Sequence, residues 1–166
     1  MLFRSMLVLC GQLLSRYYKE KKEKRSFSDV SEIAQFMKNE FVNEKVEKVM
    51  LLSLNSRSQM INLSVVHKGT LTSSEANVRE LVQTALRYRA TSIVIAHNHP
   101  AGYSAPSVQD VETTRALISA CQMLDIKLLD HVIYAADGVF SMRNSPYHAA
   151  MFSQTAWRME RTFKEN

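Results

Sequence analysis

Two histidines one residue apart, His97 and His99, open a stretch of fourteen residues that closes on Ser107 and Asp110: H-N-H-P-A-G-Y-S-A-P-S-V-Q-D. Two imidazoles and a carboxylate suit Zn²⁺, and three protein ligands leave a fourth position for water, as catalytic rather than structural zinc sites do. A metal held this way brings the pKa of its water to about 7 and supplies hydroxide at neutral pH. Because His97 and His99 are two apart, both point to one face if strand geometry persists through them. A plainer reading uses the same residues. The imidazoles hydrogen-bond within a loop, Ser107 caps a helix, and Asp110 favours the helix N-terminus. Spacing alone leaves both readings open.

The surrounding sequence supplies elements that could position such a site. Val30, Ile33, Ala34, Phe36, Met37 and Phe41 recur at helical spacing, predicting a helix from about Ser28 or Ser31 (either can cap) to about Asn43. Lys48 to Leu54 and Met60 to His67 read as strands joined by the turn chemistry of 55–58, hence a hairpin. Residues 75–89 predict a helix with Val78, Leu81, Val82, Ala85 and Leu86 on its inner face. The β-branched run 91–96 fits a strand buried on both faces. The chain then turns irregular from His97 to Pro106, and Ser107 caps a helix to about Leu124 that turns Val111, Thr114, Leu117, Ile118 and Cys121 inward. Strands over 127–134 and 139–142 and a terminal helix over 149–164 complete the reading. The expected architecture is α/β, a mixed central sheet flanked by helices. The candidate ligands begin where a buried strand ends, a usual place for sites in open α/β sheets.

Charge is distributed unevenly. Residues 1–25 hold seven of the 21 Lys/Arg and two of the 16 Asp/Glu, so they carry the whole net charge of +5 and leave the rest neutral. A nucleic-acid-binding domain shows its basic face on the fold itself, and this balance lends that no support. The apolar run 1–14 contains Arg4 and falls short of the roughly 20 residues of a membrane span. Its heavier charge follows rather than precedes it, unlike a secretory signal. A basic lead over 1–27, amphipathic or flexible at a surface, is expected, with packing on the domain or a partner and membrane anchoring as alternatives. Cys10 and Cys121 form no C-x-x-C pattern, which argues against a disulfide scaffold and for a reducing cytoplasm. No glycine-rich phosphate loop follows a strand. Nothing in the sequence specifies an oligomeric state.

The run from His97 to Asp110 resembles the JAMM motif, H-x-H-P followed by S-x-x-D, in its RadC-like form. Further stretches resemble that family in order: Lys68-Gly69-Thr70-Leu71, then Val78-Arg79-Glu80 with Ala85-Leu86, then Leu129-Asp130-His131-Val132-Ile133. The resemblance to RadC-like JAB/MPN⁺ domains covers about residues 28–145, leaving 146–166 as a C-terminal helical tail. It implies a JAB/MPN-like fold with cytidine-deaminase-like layering, zinc bound by His97, His99 and Asp110, and Ser107 beside the water or developing oxyanion. It also implies a glutamate as general acid–base. Glu47, 50 residues before His97 and opening a strand, matches that position best, although Asn55 stands where the family pattern ends in Asp. Glu80 is the rival. Asp130-His131 could buttress the site, or His131 could be an ordinary core or surface histidine. Asn98 should point away from the metal and tie the chain by hydrogen bonds.

The resemblance therefore implies a zinc metallopeptidase acting on a peptide or isopeptide-linked protein. The alternatives are a DNA-associated protein of the RadC family and a zinc-bound scaffold that cuts nothing. Ala101 stands where RadC-like sequences often carry Ser. The roughly 27 residues ahead of the matching region are too few for the helix-hairpin-helix module many of them have, which weakens an inherited nucleic-acid role.

Overall fold

Strand β1 (Lys48–Leu54) and strand β3 (Ser92–Asn98) are buried along their whole length, as apolar runs covered on both sides of a sheet must be. The computed structural model that shows this describes residues 25–69 and 74–153, together with Gly11. The apolar–basic lead up to residue 24 and the tail beyond 153, both subjects of expectation above, lie outside the described residues.

Five strands form one mixed sheet in the order β2-β1-β3-β4-β5, with β2 at Met60–Lys68, β4 at Lys127–Ala135 and β5 at Gly138–Ser141. The β1–β2 and β4–β5 pairs are antiparallel hairpins, β1–β3 is antiparallel, and β3–β4 is parallel. A parallel pair needs a long crossover, and α3 (Val108–Met123) provides it. The β3–β4 register slips once. Ile93 pairs with Leu128 and Val94 with Asp130, so Leu129 is an extra residue in β4.

Helices cover both faces. On one face α1 (Val30–Lys38) and a short 3-10 turn (Asn39–Phe41) bring Ile33, Met37 and Phe41 onto Met50, Leu52, Val94, Ala96, Val132 and Tyr134. On the other, α2 (Ser74–Arg87) and α3 bring Leu81, Ala85, Leu117, Ile118 and Cys121 onto Leu51, Ile93, Ile95 and Leu128. Each fully buried Leu or Ile contributes roughly 1.5–3 kcal/mol of transfer free energy, so alternation along β1 and β3 commits the sheet to both layers. The short α4 (Ala149–Ser153) buries Phe152 in the second layer. No helix among the described residues is long and apolar enough to cross a membrane.

The expected mixed α/β layering is what the chain forms, with local differences. Asp29, not Ser28 or Ser31, caps α1: its carboxylate accepts from Glu32 N at 2.8 Å. Ser28 instead donates to Glu32 Oε2 through both its amide and its hydroxyl. Leu86 is 49% exposed, and Thr84 takes the buried position on α2. Strand β3 does not stop at Ala96 but runs on through His97 and Asn98.

Candidate metal centre

Because β3 continues to Asn98, adjacent side chains at its end go to opposite faces. His97 turns toward α3. Asn98 turns the other way, where its Oδ1 accepts from Lys48 N at 2.9 Å and its Nδ2 donates to the Val46 carbonyl at 3.0 Å. Asn98 thus fastens the β3 end to the start of β1. The chain leaves the sheet with His99 N donating to the Tyr134 carbonyl at 2.8 Å. Gly102, at φ +98°, lets the loop turn there, and Ser104 N reaches Asp137 Oδ1 at 2.9 Å.

The loop ends in a capping box. Ser107 Oγ accepts from Asp110 N at 3.1 Å, and Asp110 Oδ2 accepts from Ser107 N at 2.7 Å and from Ser107 Oγ at 2.6 Å. Two helix-terminal amides are satisfied, and the same bonds aim the Asp110 carboxylate back at the end of β3. His97 Nε2 lies 2.8 Å from His99 Nε2 and 3.2 Å from Asp110 Oδ1, while His99 Nε2 lies 3.4 Å from Asp110 Oδ2. Burial works to raise the Asp110 carboxyl. The hydrogen bond and charge of His97, with the two Ser107 donors, outweigh it and hold the group well below the usual carboxylate range.

His99 carries its proton on a defined nitrogen. Its Nδ1 is 2.7 Å from the Tyr103 carbonyl, which only accepts. Nδ1 is therefore the donor, and Nε2 presents a lone pair toward His97 and Asp110. On the far side of the His97 ring, His97 Nδ1 meets His131 Nε2 at 2.8 Å, and His131 Nδ1 meets Thr114 Oγ1 at 2.6 Å. His131 is fully enclosed, and burial, then the neighbouring His97, push its pKa well below the usual histidine range.

His97, Asp110 and His131 each offer a ligand atom within 4.8 Å of the other two, and this buried group can hold a metal ion. Two histidines thus compete for third place in one cluster. They approach opposite nitrogens of His97: His99 is on the Nε2 side, with the carboxylate, and His131 is on the Nδ1 side. Donors about 2.0–2.1 Å from a tetrahedral zinc are about 3.3 Å apart. The two Nε2 atoms, 2.8 Å apart, lie 3.2 Å from Asp110 Oδ1 (His97) and 3.4 Å from Asp110 Oδ2 (His99), separations near that size.

Glu47 is half-buried and lines a cavity of about 30 Å³ together with His97, Asp110, His131, Gln109 and Thr113. That is room for a water molecule, which needs about 10–15 Å³. Glu80 is exposed on α2 and does not line this cavity. Two residues of the cluster carry little signal in the sequence. Thr114 was legible only as an inward position of α3, and His131 only as one of two even alternatives. The Leu-Asp-His-Val-Ile stretch was the available signal.

The RadC-like JAB domain model matches residues 27–147. A UPF0758 protein of Streptococcus gordonii is 38% identical over 111 residues, covering 67% of this chain and 49% of the relative. A UPF0758 protein of Neisseria gonorrhoeae is 37% identical over 124 residues, covering 75% of this chain and 55% of the relative. The chain thus spans about half the length of these curated relatives. The matched span contains the five-stranded mixed sheet and every residue of the cluster, and this chain belongs to the RadC-like JAB domain family.

Proposed function

We propose that the chain is a zinc-dependent hydrolase of the JAMM type that cleaves amide bonds in peptides or isopeptide-linked proteins, with His97, His99 and Asp110 as the metal ligands. The observation that carries this reading is the convergence of His97 Nε2, His99 Nε2 and the Asp110 carboxylate within 2.8–3.4 Å of one another. His97 and Asp110 also line a water-sized cavity shared with Glu47. Zinc at such a site polarises a carbonyl and acidifies water.

The chain's own groups do the rest. Glu47, which lines the same cavity as His97, accepts a proton from the attacking water. It returns that proton to the amine nitrogen as the carbon–nitrogen bond breaks. Ser107, whose hydroxyl donates to Asp110 Oδ2, turns that proton to the oxyanion that develops on the substrate carbonyl. Tyr103 keeps His99 in the tautomer that presents Nε2. A reducing cytoplasm is the proposed setting, consistent with the buried free thiol of Cys121.

The test is elemental analysis of the purified full chain, followed by assay against peptide and isopeptide-linked substrates. One zinc per chain, lost in Asp110→Ala, with turnover lost in Glu47→Gln while zinc is kept, is the expected result. A protein that stays metal-free on zinc titration would overturn the reading. Stoichiometric zinc without turnover on any amide would reduce it to a binding scaffold.

A further inference from the structure

His97 has two ring nitrogens with polar neighbours, His131 Nε2 on one side and His99 Nε2 with the Asp110 carboxylate on the other, and metal binding on the Asp110 side turns on which ring nitrogen holds the proton. The answer lies two residues away. Thr114 Oγ1 is 2.6 Å from the carbonyl of Asp110, one helical turn back, and 2.6 Å from His131 Nδ1. A hydroxyl has one proton, and a carbonyl can only accept. Two acceptor lone pairs do not face each other at 2.6 Å without a proton between them, so the Thr114 proton goes to the Asp110 carbonyl. Thr114 Oγ1 is then an acceptor toward His131, and His131 Nδ1 carries a hydrogen.

The rest follows around the ring. A neutral His131 protonated on Nδ1 presents a lone pair at Nε2. That lone pair faces His97 Nδ1 at 2.8 Å, so His97 Nδ1 must be the donor. With a cation in place of a proton between His97 Nε2, His99 Nε2 and the Asp110 carboxylate, three acceptors 2.8–3.4 Å apart, His97 Nε2 is then free to give its lone pair to that cation. We propose that Thr114 and His131 form a relay that locks His97 in the Nδ1–H tautomer, and that both are positioning residues for the metal site and neither is a ligand. The relay rests on the metal reading above and deepens it. It begins at the main chain of Asp110 and ends on the ring nitrogen facing the Asp110 side chain, so it ties two of the proposed ligands into one closed circuit.

Burial makes the circuit consequential. Thr114 is 0% and His131 3% exposed, so bulk solvent does not reach them and a broken link removes a hydrogen bond from a buried polar group. Outer partners of metal-bound histidines typically account for about 10–100-fold in metal affinity. Thr114→Val keeps the shape of the side chain and removes the hydroxyl, while Thr114→Ser keeps the hydroxyl.

The experiment uses the full chain in two measurements. Long-range ¹H–¹⁵N correlation spectra of wild type, metal-free and loaded with ¹¹³Cd²⁺, report each imidazole's tautomer and which nitrogens bind the metal. Competition with a chromophoric chelator gives zinc affinity for wild type, Thr114→Val and Thr114→Ser. The relay requires hydrogen on Nδ1 of His131 and of His97, and cadmium coupling to Nε2 of His97 and His99 but not to His131. Thr114→Val should bind zinc about 10–100-fold more weakly, and Thr114→Ser should bind within a few-fold of wild type. Hydrogen on His131 Nε2, cadmium coupling to His131, or full zinc affinity in Thr114→Val would each overturn the relay while leaving the metal site standing. Failure of Thr114→Ser to restore affinity would also overturn it. If Thr114→Val does not fold, the wild-type spectra decide alone. A wild type that takes up neither metal overturns the relay together with the reading it rests on.

Discussion

His97 and Asn98 are neighbours in the chain, equally buried, and turned to opposite faces of the sheet, where polar groups are put to different uses. On the α1 side Asn98 bonds only main-chain atoms, as does the Tyr134 hydroxyl, which donates to the Ala34 carbonyl at 2.6 Å, and Phe41 stacks on Tyr134 with ring centroids 4.8 Å apart. On the α2–α3 side His97, His131, Thr114 and Asp110 bond mainly one another, side chain to side chain. Buried side-chain networks of that kind cost more to satisfy than an apolar core. The first arrangement fastens chain ends. The second holds donor atoms aimed at one small space, and its polarity is concentrated at one end of an otherwise apolar layer.

The comparison can be broken most severely at His97. His97→Ala should abolish stoichiometric zinc uptake, read by elemental analysis, while the far-UV circular dichroism stays native. Next, Leu52→Ala on the α1 side, where Leu52 is fully buried, should cost about 2–5 kcal/mol in urea unfolding and leave zinc stoichiometry intact. If it emptied the site, the two faces would not be separable. Asn98→Ala should cost about 1–3 kcal/mol by the same measurement, since it frees the Lys48 amide and the Val46 carbonyl. Zinc should still bind, because Asn98 faces away from it. Ser107→Ala removes a helix cap and should cost about 1 kcal/mol. It should also slow amide turnover by about 10²–10³-fold if the hydroxyl serves the oxyanion. The smallest effect belongs to Cys121, whose thiol burial pushes up to about 12. In a Cys10→Ser background it should resist alkylation at pH 8 until the protein unfolds.

Much of this was legible in the sequence because period and burial coincide. The run Lys48–Leu54 and the β-branched stretch before His97 could only be buried strands, and Ser107 announced its helix with Asp110 three residues on. Strand β3 was read as ending too early because H-N-H-P looks like loop chemistry. Pairing of His97 with Val49 and Ile133, and of Asn98 with Tyr134, outweighs that local signal. Leu86 misled for a related reason: it has helical spacing, but α2 turns Thr84 and Ala85 inward instead. The Thr114–His131 link was out of reach because it joins a helix to a strand 17 residues later, and neither residue departs from what its own element would hold.

The surplus Leu129 in β4 has a consequence for handedness of placement. With uninterrupted pairing from Ile93↔Leu128 onward, His131 would stand opposite Ala96 and look toward α1; with the slip it stands opposite Ile95 and looks toward α3. Pairing without the slip, with Leu129 kept, would therefore move His131 into the place of Val132, whereas deleting Leu129 would leave His131 opposite Ile95. In the unslipped register a bare imidazole would be thrust among Phe41, Met50 and Leu52, and Asp130 would stand opposite Ile95 where His97 now meets a nitrogen. The chemistry on one side of this sheet and the oil on the other depend on a single miscounted step in a strand.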